Sequence, residues 1–309
     1  MDIPFFSEDE YPNKFLRGYS IFLDDARIFH LTDCGYDHVS TLTGASLEQG
    51  VYQIGALLAS GAPVWLSIQA VHPQVLRLQM WQEEPAFDQE SPMLAPMPRH
   101  DVPLQVEEMD GVYSVALSGY HLHLQKRSFC LRLLSPQGET IFESETEKLV
   151  GLYTAPPLGF RHKQGEKQVF LSWHMRYEDR YFGLGEKFTR FEKTSTRATI
   201  WQADTCESNS TDMSYKAVPA LFSTAGWAVL LHTSFRSVWE IGSFSYSTGA
   251  TMVEDHKLDM FLILAPSLKE QIELYTLLTG RPTLPPKWAF GVWMSRAAYT
   301  SRAQMLEVA

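Results

Sequence analysis

Few side chains in this sequence stand at spacings that could do chemistry by themselves. His121 and His123 are two apart in Tyr120-His121-Leu122-His123-Leu124. On a strand that spacing puts both imidazoles on one face, as a metal site needs. No third ligand accompanies them, so they read as ordinary strand residues and no metal is expected. Glu186 follows Gly183-Leu184-Gly185, where a carboxylate on a glycine-rich turn has the form of a general base. Those glycines lack the third glycine of a dinucleotide-binding turn, and no cofactor is expected. The three cysteines, Cys34, Cys130 and Cys206, are far apart and show no C-x-x-C spacing. An odd, sparse set is poor material for a disulfide framework or a zinc site.

Strands must position most of these residues. From about Val64 to Leu264 the dominant pattern alternates with period two. In Val75-Leu76-Arg77-Leu78-Gln79-Met80-Trp81, Leu76, Leu78 and Met80 face one way while Arg77 and Gln79 face the other. Ser135-Pro136-Gln137-Gly138 has the residues a type I turn prefers, with Thr140-Ile141-Phe142-Glu143 as the returning strand. An Ala225-Gly226 turn precedes Trp227-Ala228-Val229-Leu230-Leu231. Many short strands separated by turns predict antiparallel sheets stacked as a sandwich. The Pro-rich stretch from Glu83 to Pro103 reads as a long surface connection.

The pattern changes near residue 265. Ser267-Leu268-Lys269-Glu270 is a capping box, and Leu268, Ile272, Tyr275 and Leu278 recur at helical spacing until Gly280 and Pro282 end the helix. A stiff linker, Arg281-Pro282-Thr283-Leu284-Pro285-Pro286-Lys287, leads into Trp288-Ala289-Phe290-Gly291-Val292-Trp293-Met294. That near-continuous apolar run predicts a strand buried on both faces, as in a parallel sheet. Ser301-Arg302-Ala303-Gln304 reads as a second capping box, opening a helix with Met305, Leu306 and Val308. A parallel strand without a neighbour and a helix without a C-cap imply that the chain ends inside a βα unit of a longer protein.

The bulk composition narrows the class. The chain has 309 residues, 45% hydrophobic and 20% charged, enough apolar material for a large core. A formal net charge of −10 without a basic run argues against nucleic acid as a partner. No apolar stretch is long enough to span a bilayer, and the acidic N-terminus shows no signal-peptide core. A cytoplasmic location is the expectation. Aromatic residues are 13%, with eight Trp. Most should be core, yet aromatics also suit the apolar C–H faces of pyranose rings.

Four segments, in order, carry a resemblance. They are Tyr181-Phe182-Gly183-Leu184-Gly185-Glu186-Lys187-Phe188, Ile200-Trp201-Gln202-Ala203-Asp204, Tyr215-Lys216-Ala217-Val218-Pro219, and Leu274-Tyr275-Thr276 through Leu284-Pro285-Pro286-Lys287-Trp288-Ala289-Phe290-Gly291-Val292-Trp293. Over residues 181–295 the chain resembles the N-terminal part of glycoside hydrolase family 31, the retaining α-glucosidases and α-xylosidases, most closely its bacterial α-xylosidase-like branch. The resemblance implies a mainly β fold: a galactose-mutarotase-like β-sandwich, then the first strand and the start of the first helix of a (β/α)₈ TIM barrel. It places a sandwich over residues 1–265, a helix and Pro-rich linker over 266–287, and the truncated start of the barrel over 288–309.

The same resemblance implies double displacement by two carboxylates about 5–5.5 Å apart. In the family both sit on later barrel strands, so neither the nucleophile nor the acid/base is expected within these residues, and the fragment alone is expected to be inactive. Asp204 matches an aspartate that binds hydroxyls of the sugar in the −1 subsite. An ionised carboxylate can accept two adjacent sugar O–H donors; the plainer alternative is that Asp204 opens an Asx-turn. Family xylosidases place an aromatic residue near the top of the first barrel strand, where this chain has Ala298 with Tyr299 adjacent. Arg296 could meet an anionic substituent such as a sulfonate, or be a surface arginine. Within the resemblance, Glu186 belongs to a structural motif. The expected partner is an α-glycoside, with self-association of the full-length enzyme left open. Two rival readings stand beside the hydrolase: a non-catalytic carbohydrate-binding or interaction sandwich, and a family 31 lyase or transglycosidase.

Overall fold

The computed structural model of the protein describes residues 28, 35–83, 91–96, 102–146, 149–150, 153–163, 165–203, 212, 214–293 and 300–308. The chain forms two compact units, Met1–Thr279 and Gly280–Ala309.

Alternation organises the first unit. In Val75–Trp81 the side chains of Leu76, Leu78 and Met80 are buried while Arg77 and Gln79 are only half-buried. In Tyr120–Gln125, Leu122 and Leu124 enter the core and His121 and His123 turn outward. Thirteen strands join in one hydrogen-bonded series. In order they are Tyr181–Gly185, Ala217–Ser223, Trp227–Leu231, Leu258–Leu264, Val75–Trp81, Pro63–His72, Val51–Leu58, Gly35–Glu48, Leu158–Lys163, Glu166–His174, Thr248–Val253, Ser237–Ile241 and Thr196–Ile200. A five-stranded meander from Gln105–Met109 to Thr140–Glu143 forms a second sheet. Every strand-to-strand pairing among the described residues is antiparallel.

One core serves all of these strands. It joins Ile54, Leu66 and Leu78 to Phe160, Val169 and Trp173, and both groups to Val115, Leu122 and Leu133 of the five-stranded sheet. The fold is therefore mainly β, a sandwich with its apolar faces turned inward. The predicted Ser135–Gly138 turn forms: the Gly138 N–H donates to the Ser135 carbonyl at 2.9 Å, and Ser135 Oγ accepts from the Gln137 N–H at 3.2 Å. Strand pairing also reaches further towards the N-terminus than the alternation starting at Val64 indicates. Gly35–Glu48 and Val51–Leu58 are joined by Gln49 and Gly50, both with positive φ, 50° and 78°. Two such residues give the twist a two-residue hairpin requires. Gln-Gly is a weak sequence signal for it, and the far end of Gly35–Glu48 is exposed, so its alternation fades.

The helix Leu268–Thr279 forms as its capping box predicts. The Glu270 N–H donates to Ser267 Oγ at 3.3 Å, and the Ser267 hydroxyl donates back to the Glu270 carboxylate at 2.7 Å. Its buried face differs from the expected one, because Ile272 is 50% exposed while Gln271 is fully buried. Gln271, Leu274 and Leu278 line one face at i, i+3 and i+7. The Gln271 amide earns its place by donating to the carbonyls of Ser223 and Ala265 at 2.9 and 3.1 Å. Leu274 and Leu278 pack on Ala228, Leu230, Phe261 and Ile263. This cover explains why Trp227–Leu231 and Leu258–Leu264 are buried on both faces within an antiparallel sheet.

In the second unit the described part of the expected strand, Trp288 to Trp293, is not a strand. Lys287–Phe290 is a 3₁₀ turn closed by the Gly291 N–H donating to the Trp288 carbonyl at 3.0 Å. A strand needs neighbours for its backbone groups, and no described strand pairs with this segment. The helix Arg302–Val308 starts where the second capping box places it, with the Gln304 N–H donating to Ser301 Oγ at 3.2 Å. No helix among the described residues is long and apolar enough to cross a membrane.

Candidate functional site

Tyr181–Gly185 lies at the edge of the thirteen-strand series, antiparallel to Ala217–Ser223. Its register is regular from Tyr181 to Gly183, opposite Ser223 to Leu221, then jumps so that Gly185 faces Ala217. Gly183, Leu184 and Gly185 take φ of +112°, +65° and +79°. A Cβ on Gly183 would stand 2.4 Å from the Ala220 carbonyl oxygen, and one on Gly185 2.1 Å from that of Lys216. The two glycines thus serve a close backbone crossing. Glu186 emerges exposed, its carboxylate 3.3 Å from Lys216 Nζ with both side chains about 70% in solvent. An open surface ion pair has none of the shielding that tunes a general base.

The next side chain turns inward. The Lys187 side chain is 1% exposed, and its ammonium donates to the carbonyls of Thr199 and Asp212, the latter at 2.7 Å. Its Nζ also lies 3.7 Å from Asp212 Oδ1. The other Asp212 oxygen accepts from the Thr199 N–H. Burial lowers the Lys187 pKa, opposed by the charge of Asp212, and burial raises the Asp212 pKa, opposed by Lys187. Each charge thus offsets part of the burial cost of the other, although the Asp212 side chain keeps 25% of its surface in solvent.

This pair fastens both ends of one loop. Thr199 and Ile200 close the strand Thr196–Ile200; beyond it, the Ala203 N–H donates to the Ser214 carbonyl at 3.2 Å. Gln202 bridges Ser214 in parallel sense and donates from Nε2 to the Ala217 carbonyl at 3.0 Å. Trp201, 44% exposed, stands on the outer side of this stem. A cavity of about 420 Å³ opens against it, lined by Ile200, Trp201, Gln202, Ala217, Pro219 and Phe235.

A smaller cavity of about 210 Å³ shares Phe235 and reaches His232, Asp255, Lys257 and Asp259. Asp259 is the best-paired carboxylate here. Arg77 donates to it from Nε at 2.8 Å and from Nη2 at 2.5 Å, and His232 Nδ1 lies 3.0 Å from its Oδ2. An ionised carboxylate only accepts, so the proton is on Nδ1. Burial pushes the Asp259 carboxyl up, but hydrogen bonds from Arg77 and His232 outweigh it and hold the group below its usual range.

Asp204, Arg296 and Tyr299, the residues expected to meet substrate, lie outside the described residues, as does Ala298. The stem ending at Ala203 is what the structure gives of Asp204's surroundings. His121 and His123 stand with ring centroids 6.2 Å apart. No group of three or more His, Cys, Asp or Glu among the described residues could hold a metal ion. Lys187 and Asp212 escape sequence reasoning because nothing links residues 25 apart except that both flank polar turns.

Comparison with known proteins places these features among relatives. Residues 66–240 match the glycosyl hydrolase 31 N-terminal galactose mutarotase-like domain. The α-xylosidase XylQ of Lactiplantibacillus pentosus is 26% identical over 204 residues, 66% of this chain and 26% of the relative. The α-glucosidase 2 of Bacillus thermoamyloliquefaciens is 28% identical over 192 residues, 60% of this chain and 23% of the relative. The chain therefore spans about a quarter of the length of these relatives. A Flavobacterium johnsoniae dextranase, solved with isomaltotriose, superposes with a TM-score of 0.68 at 19% identity, over 82% of this chain and 30% of its own.

Proposed function

The chain belongs to the glycosyl hydrolase 31 family through its N-terminal galactose mutarotase-like domain, and on that premise we propose that it is part of a retaining α-glycosidase acting on α-xylosides or α-glucosides. The two reacting carboxylates come from outside residues 1–309, and the chain's own contribution is Asp204, which accepts hydroxyls of the sugar in the −1 subsite. The observation that carries this reading is the fastened stem. The backbone is tied at Ala203, the residue before Asp204 in the sequence, to Ser214. A charged acceptor on a held stem gives oriented, charge-assisted bonds to sugar O–H groups. The α-xylosidase and α-glucosidase names of the relatives support the substrate class.

The division that goes with it is a sandwich over 1–265, a helix and Pro-rich linker over 266–287, and the start of a catalytic (β/α)₈ barrel over 288–309. Arg296 and Tyr299 then belong to the barrel rim, with Tyr299 adjacent to Ala298 at the position where family xylosidases carry an aromatic, and Arg296 meeting solvent or an anionic substituent. A cytoplasmic location fits the buried thiol of Cys130, 3.7 Å from the Ser144 carbonyl.

The test is turnover of p-nitrophenyl α-xyloside and α-glucoside by the complete protein and by residues 1–309. Cleavage by the complete protein with retained anomeric configuration, and none by residues 1–309, is expected. Turnover by residues 1–309 at ordinary enzyme rates would refute the assignment, and transfer or elimination products from the complete protein would move it to the transglycosidases or lyases.

A further inference from the structure

We propose that the cavity of about 210 Å³ beside His232 binds one neutral sugar ring, with Phe235 as the platform for its apolar face. The site is built from described residues alone and draws nothing from Asp204. Its frame is fixed at both ends. The turn 232–236 leads from Trp227–Leu231 into Ser237–Ile241. At its start the His232 N–H donates to the Asp259 carbonyl at 2.8 Å, and His232 Nδ1 lies 3.0 Å from Asp259 Oδ2. At its end the Glu254 N–H donates to the Arg236 carbonyl at 2.9 Å, while Arg236 donates from Nε and Nη2 to one Glu254 oxygen at 2.9 and 2.6 Å. Between them Thr233 Oγ1 accepts the Phe235 N–H at 3.1 Å. Phe235 is thus carried on a held backbone while 51% of its surface stays in solvent.

Two nearly buried side chains keep unused acceptors here. The His232 side chain is 8% exposed and commits Nδ1 to Asp259, which leaves Nε2 without a partner among the described residues. The Asp255 side chain is 5% exposed; its Oδ1 meets the His256 N–H at 2.7 Å and His256 Nδ1 at 3.0 Å, and its Oδ2 has no partner among the described residues. Neither atom is sealed from solvent, and both residues line the cavity. A half-buried acceptor without a donor favours a ligand that brings O–H groups. The surrounding charges select its class. Asp255 and Asp259 stand against Lys257 and Arg77, so the cavity has no net sign to hold an anion or a metal ion. A neutral sugar meets every demand: its hydroxyls donate to Nε2 and Oδ2, and its C–H face lies on the Phe235 ring. The volume, below the roughly 300–1,000 Å³ of sites for drug-sized ligands, suits a single pyranose.

The experiment titrates D-glucose, which has no glycosidic bond to cleave, into the complete protein with ¹³C-labelled methionine methyl groups. Met93 lines the cavity, and its resonance, assigned with Met93→Leu, is the reporter. A saturable shift with a Kd of about 1–10 mM is expected, the range open to so small a ligand. Phe235→Ala removes the platform, and Asp255→Asn replaces the free acceptor with an amide donor; each should raise Kd at least about 10-fold. D-Sorbitol, which carries the hydroxyls without the ring face, should bind at least about 10-fold more weakly than D-glucose. No saturable shift up to about 100 mM D-glucose overturns the proposal. So does a Kd that both substitutions leave unchanged, which would place the sugar elsewhere. Equal binding of D-sorbitol, or tighter binding of inorganic phosphate, overturns the sugar-ring assignment. If Asp255→Asn does not fold, Phe235→Ala, whose ring is half exposed, decides the matter alone. None of these outcomes bears on Asp204, which is tested by turnover.

Discussion

The Trp173 indole fills the space that a side chain on Gly249 would need. The two residues face each other across paired strands, and a Cβ built on Gly249 would lie 2.2 Å from the ring. Trp173 is the hub of an aromatic cluster, with edge contacts to Trp227 at 6.0 Å and Trp239 at 6.4 Å between ring centroids. Gly249→Ala should therefore destabilise the protein by roughly 1–3 kcal/mol through overpacking, or more if the cluster must shift. Urea unfolding of the complete protein measures this, and an unchanged midpoint would show that the indole has room to move.

Lys187 and Asp212 should behave as a unit in stability. Lys187→Met leaves Asp212, whose side chain is 25% exposed, without its main counter-charge and should cost about 1–3 kcal/mol. Adding Asp212→Asn removes that stranded charge and should restore much of the loss. A coupling energy below about 0.5 kcal/mol in this cycle, read from thermal or urea unfolding, contradicts a shared burial cost.

Arg77 and Asp259 make the stability pH-dependent with a definite sign. The Asp259 pKa is lower folded than unfolded. Its contribution is thus present above the unfolded value of about 3.9 and lost as pH falls through the folded one. Arg77→Leu should destabilise by about 3–5 kcal/mol at pH 7, since the pair is nearly buried. The gap between variant and wild type should narrow as pH drops below about 4. A gap of constant size from pH 7 to pH 3 would mean that the carboxylate's charge plays no part.

Asp204→Ala in the complete protein should lower kcat/KM on the order of 100-fold, the loss of a few kcal/mol of charged hydrogen bonding. Steady-state kinetics on an aryl α-glycoside checks it, and an unaltered kcat/KM removes Asp204 from the substrate site.

Much of the sandwich was legible because its cause is local. Alternation at Leu76, Leu78 and Met80, the Ser135–Gly138 turn and both capping boxes depend on neighbours within a few residues. Ile272 was misread since a spacing of three or four fits two adjacent helix faces. What chose between them was Gln271, whose amide meets carbonyls of Ser223 and Ala265 that sequence spacing does not bring near. The apolar run from Trp288 to Trp293 shows a limit of a related kind: apolar content announces burial, but a strand also needs partner strands, and among the described residues none pairs with it. In the site, the glycines at 183 and 185 were visible while their purpose was not, because the obstructing carbonyls of Ala220 and Lys216 arrive from another strand. The Lys187–Asp212 pair was hidden entirely, each looking like a surface charge.

The central strands also set a timetable for synthesis. Val75–Trp81 finds Pro63–His72 at once, but its other neighbour is Leu258–Leu264, and Arg77 waits for Asp259, 182 residues later. At about 5–20 residues per second, one ladder of that strand stays open on the ribosome for about 10–40 s. An open edge rich in Val, Leu and Met is a template for wrong pairing. Nascent chains arrested before Leu258 should accordingly be held by chaperones or cut by protease within 75–81, and chains extended past Leu264 should resist both.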